Sequence, residues 1–393
     1  MRICQIVNVG FEAGGAERSV RLLSEGLHAR GHDVLVIATD HLLDGTQDVF
    51  ADILVPAVRG GALKRLTGYF WHGPAYRLVR SAVREFRPDV VHLHTIGEFS
   101  PAVLAATRGP ARVLTVHGPE DWTLRLLRWN LRSAATGAPR LSRGDTARLA
   151  YLRHLQRPAY LTGIRRLETL VTPSRFLAGQ VLVDAGLVPV RVVPNGIRLP
   201  SSAPMPSRPE VLFVGRFQRV KGAHVLVRAF GRIAAHHPGA RLTLVGDGPD
   251  RAELERLAAD APAGSIRFAG WLSGDALAQA YREAAVVAIP SIWPENFPTV
   301  ALEALGTGRP VLASAVGGIP ELVRSGHNGV LVPPGDEDAL ADALGDLLGD
   351  PARRAAMGEA SAAAAPTYAA EAFVDRMENC YTETGERRAR RRR

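Results

Sequence analysis

The stretch Ala285-Val-Val-Ala-Ile289-Pro-Ser-Ile292-Trp-Pro294-Glu295-Asn296-Phe297-Pro298-Thr299-Val300-Ala-Leu-Glu303-Ala-Leu-Gly306-Thr-Gly308 decides how the chain is read. Its apolar opening, Ala285 to Ile289, has the continuous hydrophobicity of a strand buried on both faces. The loop that follows is stiffened by Pro294 and Pro298, neither of which has an amide hydrogen to donate. An alanine-rich helix then starts, and the N–H groups of Thr299, Val300 and Ala301 at its head form a ready anion site. Glu295 lies in the loop and Glu303 about one turn into the helix. Amides that favour an anion, set between two acids, suit a ligand carrying both phosphate and hydroxyls.

Outward from this strand–loop–helix unit, short apolar runs alternate with amphipathic stretches, the sign of parallel α/β architecture. In the first half, strands are expected at Arg2 to Val9, Val34 to Thr39, Val90 to His94, Val113 to His117, Thr169 to Thr172 and Val190 to Val193. In the second half they are expected at Val211 to Val214, Arg241 to Val245, Ile266 to Ala269, Val286 to Ile289, Val311 to Ala313 and Gly329 to Val332. Residues 1–197 thus form one Rossmann-like domain and residues 198–365 a second. Ile197 to Pro209, with four prolines and three serines, reads as the linker. A last helix, residues 366–381, has no strand after it and is expected to return to the first domain. Residues 382–393, including six arginines between Arg387 and Arg393, read as a disordered tail.

At 393 residues and 46% hydrophobic, the chain holds two packed domains. No run approaches the eighteen apolar residues of a membrane span, and Met1 to Val7 enters a strand without a signal-peptide layout. Cys4 and Cys380 make no disulfide or metal framework, so a cytoplasmic setting is expected. The net charge is +9, and lysine occurs only at positions 64 and 221. Charge alone leaves nucleic acid, an anionic membrane face and phosphorylated ligands open as partners. Ten arginines against two acids between Asp121 and Arg166, with Trp122, Trp129, Tyr151 and Tyr160, allow either solvated helices or a surface for an acidic acceptor or membrane leaflet.

Ligands of parallel sheets bind at the carboxyl ends of the strands, which singles out several loops. Gly10 to Glu17 brings Gly14 and Gly15 to a helix start but is neither G-x-G-x-x-G nor a P-loop. Val214 to Gly222 offers the Arg216 fork and the Lys221 point charge to one diphosphate. His117 ends a strand beside Gly118 and Pro119. For His92 and His94 a packing role is expected. Asp336-Glu337-Asp338 has D-x-D lettering but opens a helix, where capping explains it; no metal or other cofactor is expected.

GGAER (Gly14 to Arg18), VVPNG (Val192 to Gly196), FVGR…KG (Phe213 to Gly222), LVGDGP (Leu244 to Pro249), Glu295-x7-Glu303 and GRPVLASAVGGIPELV (Gly308 to Val323) follow in order. Together they resemble the retaining glycosyltransferase family 4. The resemblance implies a GT-B fold, two Rossmann-like domains facing a central cleft, and metal-independent transfer of a sugar from a UDP- or GDP-sugar to an acceptor. It implies that Arg216 and Lys221 hold the diphosphate, that Glu303 takes the ribose hydroxyls, and that Glu295 binds the donor sugar. It further implies that Gly14 and Gly15 approach the phosphates and acceptor, that His117 touches the sugar, and that the backbone of Trp271 and Leu272 meets the base. Asn195, Gly246, Asn296, Phe297, Thr299 and Val300 complete the expected binding set. The loop departs from the common Glu-Gly-Phe-Gly form at Asn296 and Pro298. A glycan or lipid-linked intermediate and a specialised metabolite remain open as acceptors. Of the alternatives, an epimerase needs further cleft acids and histidines, and a phosphorylase needs a cofactor lysine, for which Lys64, expected in a loop after Gly60 and Gly61, is a poor candidate; a non-catalytic nucleotide- or nucleic-acid-binding protein is disfavoured by Glu295 and Glu303 alongside Arg216 and Lys221.

Overall fold

A computed structural model describes residues 1–131 and 141–392, the side chains of residues 62, 63, 130, 391 and 392 apart. The chain folds as two compact units, the first from residues up to 196 together with the helix Ala370–Arg392, the second from Ile197–Ala369.

The first unit is a seven-stranded parallel sheet. Its strands are β1 (Arg2–Val9), β2 (Asp33–Thr39), β3 (Ile53–Val55), β4 (Val90–Leu93), β5 (Ala111–Thr115), β6 (Thr169–Thr172) and β7 (Val190–Val192), in the order β3-β2-β1-β4-β5-β6-β7. Both faces are covered, so alternate residues of one strand serve two cores. On β1, Cys4 and Ile6 join one core with Trp122 and Tyr160, while Ile3 and Val7 join another with Leu23, Leu27, Phe373 and Tyr381.

The second unit is a six-stranded parallel sheet made of β8 (Glu210–Val214), β9 (Arg241–Val245), β10 (Ile266–Gly270), β11 (Val286–Ile289), β12 (Val311–Ser314) and β13 (Gly329–Val332). Its order, β10-β9-β8-β11-β12-β13, reverses between β8 and β11. The first sheet reverses in the same way between β1 and β4. Each reversal parts the loops of two neighbouring strands and opens a crevice at their carboxyl ends.

The structure departs from the sequence reading in three places. The short strand β3 and a helix at Ala62–Phe70 were not expected, and Lys64 lies in that helix rather than in a loop. Strand β3 has only three residues, too few to show a period. The last helix does not stop near Tyr381 in a disordered tail but runs to Arg392. Its basic end has partners: Arg388 reaches Glu168 and the carbonyl of Gly109, both at 2.5 Å, Glu383 pairs with Arg191, and Thr384 meets Thr169 at 2.9 Å. Finally, the proline-rich segment after Ile197 is fastened to the second unit. Buried Arg309 donates to the carbonyls of Pro204 (2.9 Å), Tyr281 (3.1 Å) and Arg282 (3.0 Å), and the Ile197 amide donates to Tyr368 at 2.9 Å. Part of the basic stretch expected between residues 121 and 166, and Arg393, lie outside the described residues.

Candidate active site

In the second unit the expected residues gather at the β8/β11 reversal. The loop after β11 is tied down on two sides. Ile292 donates to the Val220 carbonyl at 3.0 Å, and Gly318 donates to the Glu295 carbonyl at 2.7 Å. Two glycines allow this closeness. A Cβ on Gly222 (φ +71°) would lie 1.8 Å from the Pro290 carbonyl oxygen, and one on Gly317 (φ +59°) 2.0 Å from that of Glu295. Both also hold left-handed backbone, which costs other residues about 1–2 kcal/mol.

So held, the Glu295 carboxylate accepts from Lys221 Nζ at 2.6 Å and from Ser291 Oγ at 2.7 Å. Its side chain is 15% exposed and that of Lys221 36%. The cation and acid to which sequence assigned different ligand parts therefore share one ion pair. Arg216, at the head of the same loop, is exposed. Glu303, on the helix Thr299–Thr307, accepts from the Tyr281 hydroxyl at 2.6 Å. Thr299 and Val300 open that helix behind Pro298, half-buried. Asn296 is half-buried, and buried Phe297 packs edge-on against Tyr368, ring centres 5.8 Å apart.

Gly246 (φ +130°) closes on the β8 loop, where a Cβ would stand 2.0 Å from the Gly215 carbonyl oxygen. At the end of β10, Trp271 is 67% exposed and Leu272 half-buried. Ser291, Tyr281 and Gly317 were missed by sequence reasoning. A hydroxyl two residues past a buried strand was a usable signal for Ser291; nothing local marks Tyr281, which is 22 residues from Glu303. The D-x-D lettering resolves as a cap: Asp336 accepts from the Ala339 amide at 2.9 Å, while Glu337 pairs with Arg228 at 2.9 Å.

The remaining expected residues belong to the first unit. Gly14 and Gly15 are exposed at the head of the helix Gly15–Ala29, whose first turn already holds the buried carboxyl of Glu17. Asn195 is buried just before the chain passes to the second unit. His117 ends a buried polar chain. Ser24 donates to the Val20 carbonyl (2.9 Å) and so accepts from Gln5 Nε2 (2.8 Å); Gln5 Oε1 then faces His94 Nε2 (3.0 Å), and His94 Nδ1 faces His117 Nε2 (3.1 Å). Burial lowers the pKa of His117 to about 4 and that of His94 well below the usual range, so both rings are neutral. With one proton per ring, His94 must donate to Gln5 and His117 must donate to His94. His117 Nδ1 is left as an acceptor. His92, bonded to Tyr381 and Thr115 at 2.7 Å each, is likewise structural.

Along the chain, residues 13–199 match the family model described as Glycosyltransferase Family 4, and residues 208–350 the one described as Glycosyl transferases group 1. The chain is 31% identical over 371 residues to a glycogen synthase of Mycobacterium tuberculosis, covering 86% of this chain and 83% of that protein. It is 30% identical over 369 residues to a phosphatidyl-myo-inositol mannosyltransferase of Mycolicibacterium smegmatis, covering 90% and 86%. Among solved structures it resembles sucrose-phosphate synthase from Thermosynechococcus elongatus (TM-score 0.75, 24% identity, 97% and 98% covered). It also resembles Anabaena HepE in complex with UDP (TM-score 0.70, 20% identity, 98% and 100% covered).

Proposed function

Since the chain belongs to glycosyltransferase family 4 and is a glycosyltransferase of GT-B fold, we propose that it moves a sugar, with retention, from a nucleoside-diphosphate sugar to an acceptor hydroxyl. The observation that carries this reading is the Lys221–Glu295–Ser291 cluster at the β8/β11 reversal, beside a helix start and a second, separately held carboxylate. In this reading the diphosphate takes Lys221 and Arg216 as its cations, and the amides of Thr299 and Val300 add dipoles of the same sign. Glu303, steadied by Tyr281, accepts from the ribose hydroxyls. Glu295 turns from Lys221 to the donor sugar and faces the positive charge that develops at the anomeric carbon.

The bond from that carbon to the diphosphate oxygen breaks, and a bond to the acceptor oxygen forms on the same face. The acceptor's proton passes to the departing phosphate. Electrostatic stabilisation of the leaving group supplies the rate. His117 serves the donor sugar as an acceptor of a hydroxyl hydrogen through Nδ1. Gly14 and Gly15 approach the phosphates and acceptor, Gly246 and Asn195 border the ligand, the backbone of Trp271 and Leu272 meets the base, and Asn296 and Phe297 shape the sugar pocket.

Thermal shift of the full chain with UDP, GDP, ADP and their sugars tests the reading, with UDP first because HepE was solved with it. Stabilisation by one nucleoside diphosphate is expected; none by any would overturn the donor assignment. A second contact, with an anionic membrane face, is favoured by exposed Arg143, Arg148 and Arg153. Among the described residues no helix is long and apolar enough to cross a membrane. Co-sedimentation with phosphatidylglycerol vesicles would show the contact, and its absence at low salt would remove it.

A further inference from the structure

The first unit contains a cavity of about 580 Å³, within the size range of small-ligand sites. It opens where that sheet reverses: Asn8 stands at the carboxyl end of β1, while Thr95, Gly97 and Glu98 follow β4. Its far wall comes from the helical run that begins at Arg143, through Leu152 and Gln156, which bound a single π-helical turn. Such turns re-aim side chains inside helices. Here Gln156 donates to Asp121 at 3.1 Å.

The charge of this cavity opposes that of the sequence around it. Among the described residues three carboxylates, Glu98, Glu120 and Asp121, line it against one guanidinium, Arg148, itself exposed. Glu98 accepts from Tyr69 at 3.2 Å. Glu120 differs from both its neighbours. It is only 7% exposed, and a tight turn with Thr123 takes up its backbone amide and carbonyl (3.0 and 2.8 Å). Its carboxylate has no hydrogen-bond or ion-pair partner among the described residues. A buried carboxylate without a cation is strongly unfavourable. Consistently, burial and then the nearby Asp121 and Glu17 hold the Glu120 carboxyl well above the usual range.

We propose that this cavity receives the acceptor as a small polyhydroxylated amine, whose ammonium group is taken by Glu120. The inference rests on the glycosyltransferase reading and adds the chemical class of the acceptor. A phosphorylated acceptor would meet net negative charge, and a neutral polyol could hydrogen-bond to Glu120 but would bring no cation to hold it ionised. An ammonium group supplies the absent cation, with Asp121 and Glu98 adding attraction. Asn8, Thr95, Gln156 and Tyr69 provide neutral partners for hydroxyls.

The test is a set of calorimetric titrations of the full chain, without nucleotide. Glucosamine is compared with glucose, N-acetylglucosamine and glucose 6-phosphate, and the aminocyclitol 2-deoxystreptamine with myo-inositol. The ammonium probes should bind roughly tenfold or more tightly than their neutral counterparts, as a charge-assisted hydrogen bond implies. Glucose 6-phosphate should be weakest. Glu120→Gln, nearly isosteric, should bring amine and neutral probes within about twofold, the residue of a lost charge–charge contact, without moving the UDP melting shift. If Glu120→Gln does not fold, Glu98→Gln should narrow the same ratio. Equal or inverted preference in the wild type, no binding of either amine at about 50 mM, or an undiminished preference in the folded Glu120→Gln variant would each overturn the proposal. Because the titrations need no nucleotide, failure of UDP to bind would fall on the donor assignment and leave this result standing.

Discussion

Replacing Gly317 with alanine separates backbone strain from a steric effect on Glu295, because Gly326 offers a matched control. Both glycines have left-handed backbone, at φ +59° and +80°. An added Cβ at Gly326 meets nothing within 4 Å, whereas at Gly317 it lies 2.0 Å from the Glu295 carbonyl oxygen. Gly326→Ala therefore carries only the conformational cost, about 1–2 kcal/mol. In Gly317→Ala the Glu295 backbone must also retreat by about 1 Å to restore ordinary contact, stretching the 2.7 Å bond from Gly318. A misplacement of that size costs as much as ~100-fold in rate when it moves a group that meets the transition state. The expected outcome is a loss of about 2–4 kcal/mol in urea unfolding for Gly317→Ala, with hydrolysis of the sugar nucleotide slowed roughly 10–100-fold. Gly326→Ala should lose less stability and keep its rate within about twofold, since nothing links it to Glu295. If the two variants match in both measurements, the Gly317 contact does not position Glu295 and the argument fails.

Lys221→Ala should weaken UDP binding by roughly tenfold or more and flatten its salt dependence, read by titration at two ionic strengths; unchanged affinity removes the phosphate role. Tyr281→Phe takes one hydrogen bond from Glu303 and should weaken UDP by a few-fold, on the order of 1 kcal/mol, with little change in melting temperature. An unaltered UDP affinity would separate Glu303 from the ribose. The pH dependence of stability follows from His92, His94 and His117, all of which have folded pKa values below the ordinary histidine value of 6.5. Below that value the unfolded chain binds protons that the folded chain does not, so stability is present above pH 6.5 and is lost on acidification, for His117 down to about 4. Glu17 and Glu120, whose folded carboxyls are raised, act in the opposite sense, so the histidine contribution is read by difference: between pH 7 and 5 His117→Asn should lose less of its urea midpoint than the unaltered chain, and an equal slope would show that His117 charges freely in the fold.

The two sheets were legible because strands buried on both faces read as unbroken apolar runs, and twelve of them fall within a residue or two of where they were expected. The helix end at Arg392 was not legible. Six arginines in sequence suggest repulsion, but Glu168, which lies 220 residues from Arg388, is invisible to local pattern. At the site, Glu295 and Lys221 each stood out by residue type and loop position, yet their direct contact spans 74 residues and could not be read. Gly317 fell inside the motif Gly308 to Val323 without being singled out, since nothing in the sequence shows what presses against it. The acidic cavity shows the limit most clearly: the segment Asp121 to Arg166 is rich in arginine, yet among its described residues only Arg148 brings a cation to the lining, against Asp121, and the carboxylates that tip the balance, Glu98 and Glu120, come from before the segment.

The helix Ala370–Arg392 also sets an order of events during synthesis. Phe373, Val374, Met377 and Tyr381 complete the core face that holds Ile3, Val7, Leu23 and Val36. Gly26 is so close to Val374 that a Cβ there would lie 2.5 Å from it. On the ribosome the first 196 residues emerge well before this closing piece. At about 5–20 residues per second the wait is on the order of 10–40 s, long enough for the second unit to fold first. Through that interval the nascent first unit carries an uncovered apolar face, the kind of surface that recruits chaperones. Its native state is reached only once the helix Ala370–Arg392 has emerged.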